Sequence, residues 1–132
     1  MVLDTSAVVA ILLEEPEADE FARLVAEDAN VAISVVTFHE ASIVMASKKR
    51  SIEAVQLVDD FVRRLEIQII SLDTEDSYAA RDAYFRFGRG YHPAKLNFGD
   101  CFAYALAKVR EEPLLFKGDD FAKTDVVPAG RP

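Results

Sequence analysis

Met1-Val2-Leu3-Asp4-Thr5-Ser6-Ala7-Val8-Val9-Ala10-Ile11-Leu12-Leu13 opens the chain, and its pattern decides the fold. Met1 to Leu3 reads as a short buried strand. Thr5 or Ser6 can cap the helix that continues through Ala7 to Leu13, and Asp4 stands at the joint between the two. The same pattern returns downstream. Val31-Ala32-Ile33-Ser34-Val35 is rich in β-branched residues and reads as a second strand. Thr37-Phe38-His39-Glu40 follows with capping-box spacing, Thr37 as cap and Glu40 three residues on. Residues 67–72 read as a third strand, 114–116 as a fourth and Val126-Val127 as a short fifth.

Helical patterns fill the intervals. One has Pro16 in its first turn, with Phe21, Leu24 and Val25 on one face. A stretch over 41–46 is apolar nearly all round, and 51–65 carries a stripe of Ile52, Val55, Val58, Val62 and Leu65. A helix over 73–87 ends at Gly88-Arg89-Gly90. Phe98, Cys101, Phe102, Ala105, Leu106 and Val109 then recur at helical spacing, with Asn97 placed to cap and Asp100 three residues in. Strands alternating with helices predict an α/β fold with a mostly parallel sheet of four to five strands. A chain of 132 residues without repeats or linkers fits one domain over 1–132.

Composition narrows the function classes. With 51% hydrophobic residues the chain is an ordinary globular protein, not a disordered one. No apolar run is long enough to span a bilayer, and Asp4, Glu14 and Glu15 interrupt any signal-peptide core. The single cysteine, Cys101, cannot form an internal disulfide, which points to a reducing cytoplasm, and it falls in a core-packing stripe. A net charge of −8 argues against gripping nucleic acid with the whole surface. Basic residues do gather locally, in Lys48-Lys49-Arg50 and in Arg86, Arg89, His92 and Lys95 ahead of Asp100. His39 and His92 lack zinc-ligand spacing, and no phosphate-binding glycine loop is present.

The acids at the joints carry the chemistry. Asp4 follows the first strand, Glu40 the second, Asp119-Asp120 the fourth, and Asp100 opens the last long helix. In an open parallel sheet such joints line one edge, where residues distant in sequence meet. Two carboxylates about 4 Å apart repel by roughly 4 kcal/mol at an effective dielectric near 20. A cluster of them persists only if protons or a hard cation neutralise it. Each acid also has a plainer reading. Asp4 can serve a helix start, though Thr5 and Ser6 are capable caps; a capping box accounts for Glu40 by itself; Gly118-Asp119-Asp120 can be just a turn.

With those residues in place, the chain resembles the PIN-domain ribonucleases, and more narrowly the VapC toxins of toxin–antitoxin pairs. The resemblance runs through residues 1–7, 34–40, 96–107 and 114–121, in that order and at matching length. It implies a three-layer α/β/α fold and Mg²⁺-dependent (or Mn²⁺-dependent) endonucleolytic hydrolysis of RNA. The family's acids map to Asp4, Glu40 and Asp100, with the fourth at Asp119 or, preferred because it precedes Phe121, Asp120. Asp4 and Asp100 are then the metal ligands, and Ser6 assists. Arg86, Arg89 and Lys95 are placed to steer the RNA backbone. The implied partners are a cognate antitoxin, able to insert a basic side chain among the acids, and a second copy in a homodimer.

Four other readings compete. A PIN-like nuclease acting on DNA shares the acids. A haloacid-dehalogenase phosphatase needs an Asp where Ser6 stands, and a receiver domain fits only Lys117. A non-catalytic interaction module would not need every acid in place.

Overall fold

The computed structural model describes residues 1–130. Four strands form one sheet, β1 (Val2–Leu3), β2 (Ala32–Ser34), β3 (Gln68–Ile70) and β4 (Leu114–Leu115), all parallel and in the order β3-β2-β1-β4. The helices are α1 (Thr5–Leu12), α2 (Ala18–Glu27), α3 (Val35–Lys49), α4 (Val55–Arg64), α5 (Thr74–Phe87) and α6 (Phe98–Arg110). Single 3₁₀ turns at Ile52–Ala54 and Phe121–Lys123 complete the path.

Strand pleating sorts the apolar residues into two layers. Leu3, Ile33 and Leu115 face one core, built with Ala7, Val8, Phe21, Ala41, Met45, Val58 and Phe61 from α1 to α4. Val2, Leu114 and Phe116 face the other, with Ala80, Phe87, Leu96, Cys101 and Tyr104 from α5, α6 and their connection. The result is the expected three-layer α/β/α arrangement. Because both faces are covered there, β1 and β4 at the sheet's centre and edge are wholly apolar and buried rather than alternating, whereas the edge strand β3 opens with Gln68 and is largely exposed.

The connections β1→β2→β3 step outward on one side of β1, and β3→β4 crosses back to its other side. The order therefore reverses beside β1, and such a reversal opens a crevice at the carboxyl ends of the strands. The β1–β4 ladder continues one bond past the strand, since the Asp4 N–H donates to Leu115 O at 3.0 Å. Asp4 is thus fixed at that crevice by the sheet itself.

Four expectations are corrected. Val126-Val127 is not a fifth strand; only an isolated bridge joins Leu114 to Pro128. The cap of α1 is neither Thr5 nor Ser6 but Asp4, whose Oδ2 accepts from the Ser6 N–H at 2.9 Å. The cap of α3 is Ser34, accepting from the Thr37 N–H at 2.9 Å, so the helix starts two residues ahead of Thr37 and no capping box forms at Glu40. Pro16 precedes α2, which starts at Ala18. Among the described residues no helix is long and apolar enough to cross a membrane.

Candidate active site

Asp4 is 3% exposed, and its Oδ2 takes two hydrogen bonds from Ser6, one from the amide at 2.9 Å and one from the hydroxyl at 2.5 Å. Its Oδ1 is buried and has no hydrogen-bond partner. A buried acceptor left without a donor is uncommon and marks a place for something else. Burial pushes the Asp4 carboxyl up to about 7; Ser6 holds it back, and the charges of Asp100 and Glu40 add to the rise.

Asp100 reaches the same crevice from the first turn of α6. Its Oδ2 accepts from the Asn97 N–H at 2.9 Å while Asn97 Oδ1 accepts from the Asp100 N–H at 2.9 Å, a reciprocal box that fixes the carboxylate's direction. Partial burial raises its pKa, the Asn97 bond opposes that, and the charges of Glu40 and Asp120 raise it further.

Glu40 comes from the second turn of α3. Freed from a capping role, its Oε1 accepts from the Thr5 hydroxyl, and its carboxylate lies against Gly99 at the start of α6. The parallel pairing of β2 beside β1 brings it there. Both acids after β4 are exposed, and Asp120 is the one whose charge acts on Asp100. Asp4, Glu40, Asp100 and Asp120 are therefore brought into one electrostatic group from four separate segments.

Ser6 does more than meet Asp4. Its Oγ also accepts from the Lys117 N–H at 3.0 Å, tying the turn after β4 to α1. The Lys117 ammonium turns away to Glu15 at 2.5 Å and Glu17 at 3.1 Å. Sequence reasoning gave Thr5 only a capping role and Lys117 only a match to a receiver domain, and it did not single out Gly99. Only Gly99 gives a sequence signal, because glycine in a helical turn is disfavoured unless packing demands it.

The basic residues separate. Arg86 lies over the Phe87 ring, 4.8 Å from its centroid, and reaches Asp125 at 3.5 Å. Arg89 lines a groove of about 670 Å³ between α5 and α6 with Arg81, Tyr84, Asn97, Phe98 and Phe102. Asn97, one of its lining residues, is also the partner of Asp100. Lys95 is exposed, with a left-handed backbone (φ 53°).

The donor set suits a hard, oxygen-seeking cation. The orphaned Asp4 Oδ1 and the mutual repulsion of the acids both favour one. Among the described residues no three His, Cys, Asp or Glu side chains stand close enough together to hold a metal ion by themselves.

Comparison with known proteins places this geometry. The PIN domain family model matches residues 1–127. "Ribonuclease VapC" of Mycolicibacterium smegmatis is 45% identical over 126 residues, spanning 96% of this chain and 97% of that one. Ribonuclease VapC30 of Mycobacterium tuberculosis is 39% identical over 132 residues, the full length of both. Among solved structures, M. tuberculosis VapC20, described as a toxin cleaving the sarcin-ricin loop, superposes with a TM-score of 0.78 at 15% identity, covering 99% of this chain and 98% of that one. VapBC2 of Rickettsia felis, solved with a DNA fragment from its promoter, gives 0.72 at 16% identity over 96% and 94%. At such identities the structures speak for the fold alone. The sequence relatives and the family model go further: the chain belongs to the PIN-domain family, in its VapC ribonuclease branch.

Proposed function

We propose that this protein is a metal-dependent endoribonuclease, the toxin of a toxin–antitoxin pair, hydrolysing RNA phosphodiesters at Asp4, Glu40, Asp100 and Asp120. The observation that carries the reading is the buried Asp4 carboxylate, with one oxygen unpartnered and two further acids acting on it. A non-catalytic domain would gain stability by replacing it.

Asp4, through Oδ1, and Asp100 would hold Mg²⁺ or Mn²⁺, with Glu40 and Asp120 binding through water. When bound, such an ion would acidify a water and offset charge on the phosphate oxygens. The protein's part is orientation. Ser6 and Asn97 lock the two ligand carboxylates, and Thr5 aims Glu40 at the same crevice, where it can orient the water and accept its proton. Lys95 and Arg89 steer the RNA backbone towards an otherwise acidic mouth; Arg86 is held by Asp125 and takes a lesser share. The partners we assign are a cytoplasmic antitoxin, presenting a basic side chain to the acids, and a second copy of the chain. The negative surface favours the first on electrostatic grounds.

The decisive assay incubates purified protein with matched single-stranded RNA and DNA, in Mg²⁺ and in chelator. RNA should be cut internally, only with the ion. Asp4→Asn and Asp100→Asn should each abolish cleavage with the circular dichroism spectrum intact. Turnover retained in both variants refutes the ligand assignment, and preferential cutting of DNA refutes the substrate class.

A further inference from the structure

Gly99 is the second residue of α6, after Phe98 and the Asn97 cap, and it is buried. Glycine there is disfavoured by about 1 kcal/mol relative to alanine, unless something occupies the space a side chain would take. Here something does. A Cβ built on Gly99 would stand 2.9 Å from both Cδ and Oε1 of Glu40 and would collide with its Oε2. The carboxylate would have to withdraw by about 1 Å to regain an ordinary contact. The Glu40 Oε1 also accepts from the Thr5 hydroxyl. It is therefore clamped between α1 and the amino-terminal turn of α6, where the helix dipole also favours a negative group.

We infer that Gly99 is a positioning residue for the reaction: its missing side chain is the seat that lets the Glu40 carboxylate reach the acidic group. The inference rests on the carboxylate reading proposed above and adds a residue that touches neither substrate nor ion. It explains why a helix otherwise rich in alanine carries glycine beside Asp100. Without the seat, Glu40 keeps its charge but loses its place.

The test compares wild type, Gly99→Ala, Glu40→Asp and the double variant Gly99→Ala/Glu40→Asp. Each is assayed for RNA cleavage in Mg²⁺ and for Mn²⁺ affinity by calorimetry, which requires no turnover. Gly99→Ala should lower kcat by about 100-fold, the scale of a roughly 1 Å misplacement, with KM little changed, Mn²⁺ binding weakened and the fold intact. Glu40→Asp should harm the wild type, yet recover part of both readouts in the Gly99→Ala background, because the shorter side chain clears the new methyl. A folded Gly99→Ala protein that cleaves and binds like wild type overturns the inference. So does a Glu40→Asp effect equal in both backgrounds, since uncoupled sites add. If Gly99→Ala does not fold, Gly99→Ala/Glu40→Ala decides: recovered folding supports the seat, continued unfolding places the collision elsewhere and overturns it. A wild type that binds Mn²⁺ but cuts no RNA sinks the ribonuclease reading, and the calorimetric coupling alone then judges Gly99.

Discussion

A buried carboxylate with an unmet oxygen makes stability depend on pH, and Asp4 is such a group. Its pKa of about 7 in the folded chain lies above the ordinary 3.8. Below about pH 4 both folded and unfolded chains hold the proton and nothing is lost. Between there and about pH 7 the unfolded chain releases it first, so stability falls as pH rises; above pH 7 the loss is complete. The size is on the order of a few kcal/mol. In metal-free protein, urea midpoints of Asp4→Asn should therefore exceed those of wild type by a margin that widens from pH 5 to pH 8. A constant margin would show that Asp4 is not displaced. Cys101 gives a second test at this scale. Burial, helped by the Asp100 charge, pushes its thiol up to about 11, so iodoacetamide should leave it untouched in the native protein and label it in denaturant. The position of Asp4 at a strand end was legible in the sequence, whereas its capping role stood there only as one alternative beside Thr5 and Ser6. Three adjacent residues could each have served as cap, and only the β1–β4 bond that fixes the Asp4 backbone selects among them.

Helix starts set the aim of two of the acids, and here local spacing rules proved uneven. Three pairs have the capping-box spacing: Thr37 and Glu40, Asp73 and Asp76, Asn97 and Asp100. The last two form it. The first does not, because Ser34, fully buried at the end of β2, is already positioned to cap and starts α3 earlier. A sequence shows the spacing but not which hydroxyl the strand delivers to the joint. The two real boxes offer a controlled comparison. Asn97→Ala and Asp73→Ala should each lower stability by about 1 kcal/mol in urea titrations. Only Asn97→Ala should also reduce RNA cleavage, because only that box holds an acid of the crevice. Equal cleavage by the two variants would mean that Asp100 needs no orienting.

Across the whole molecule, alternation of apolar strands with helices was enough to anticipate an α/β fold, because a parallel sheet covered on both faces leaves that mark. Strand order was beyond the pattern. Strands of two or three residues, such as Val2–Leu3 and Gln68–Ile70, carry too little information to choose neighbours; the helices packed on each face do that. The order matters because it sets β1 between β2 and β4, gathering acids in a chain whose net charge is already −8. Their mutual repulsion is borne by the native state and relaxed in the unfolded one. A cation bound only by the native state must therefore stabilise it, by about 2.7 kcal/mol at a free concentration near 100 times Kd. The melting temperature of wild type should rise with Mg²⁺ well beyond the response to NaCl at equal ionic strength, since screening acts on all charges and binding on one group. Asp4→Asn should melt higher than wild type without the ion and respond to Mg²⁺ no more than to NaCl. Equal responses to the two salts in the wild type would show that the four acids, though neighbours, form no site for a cation.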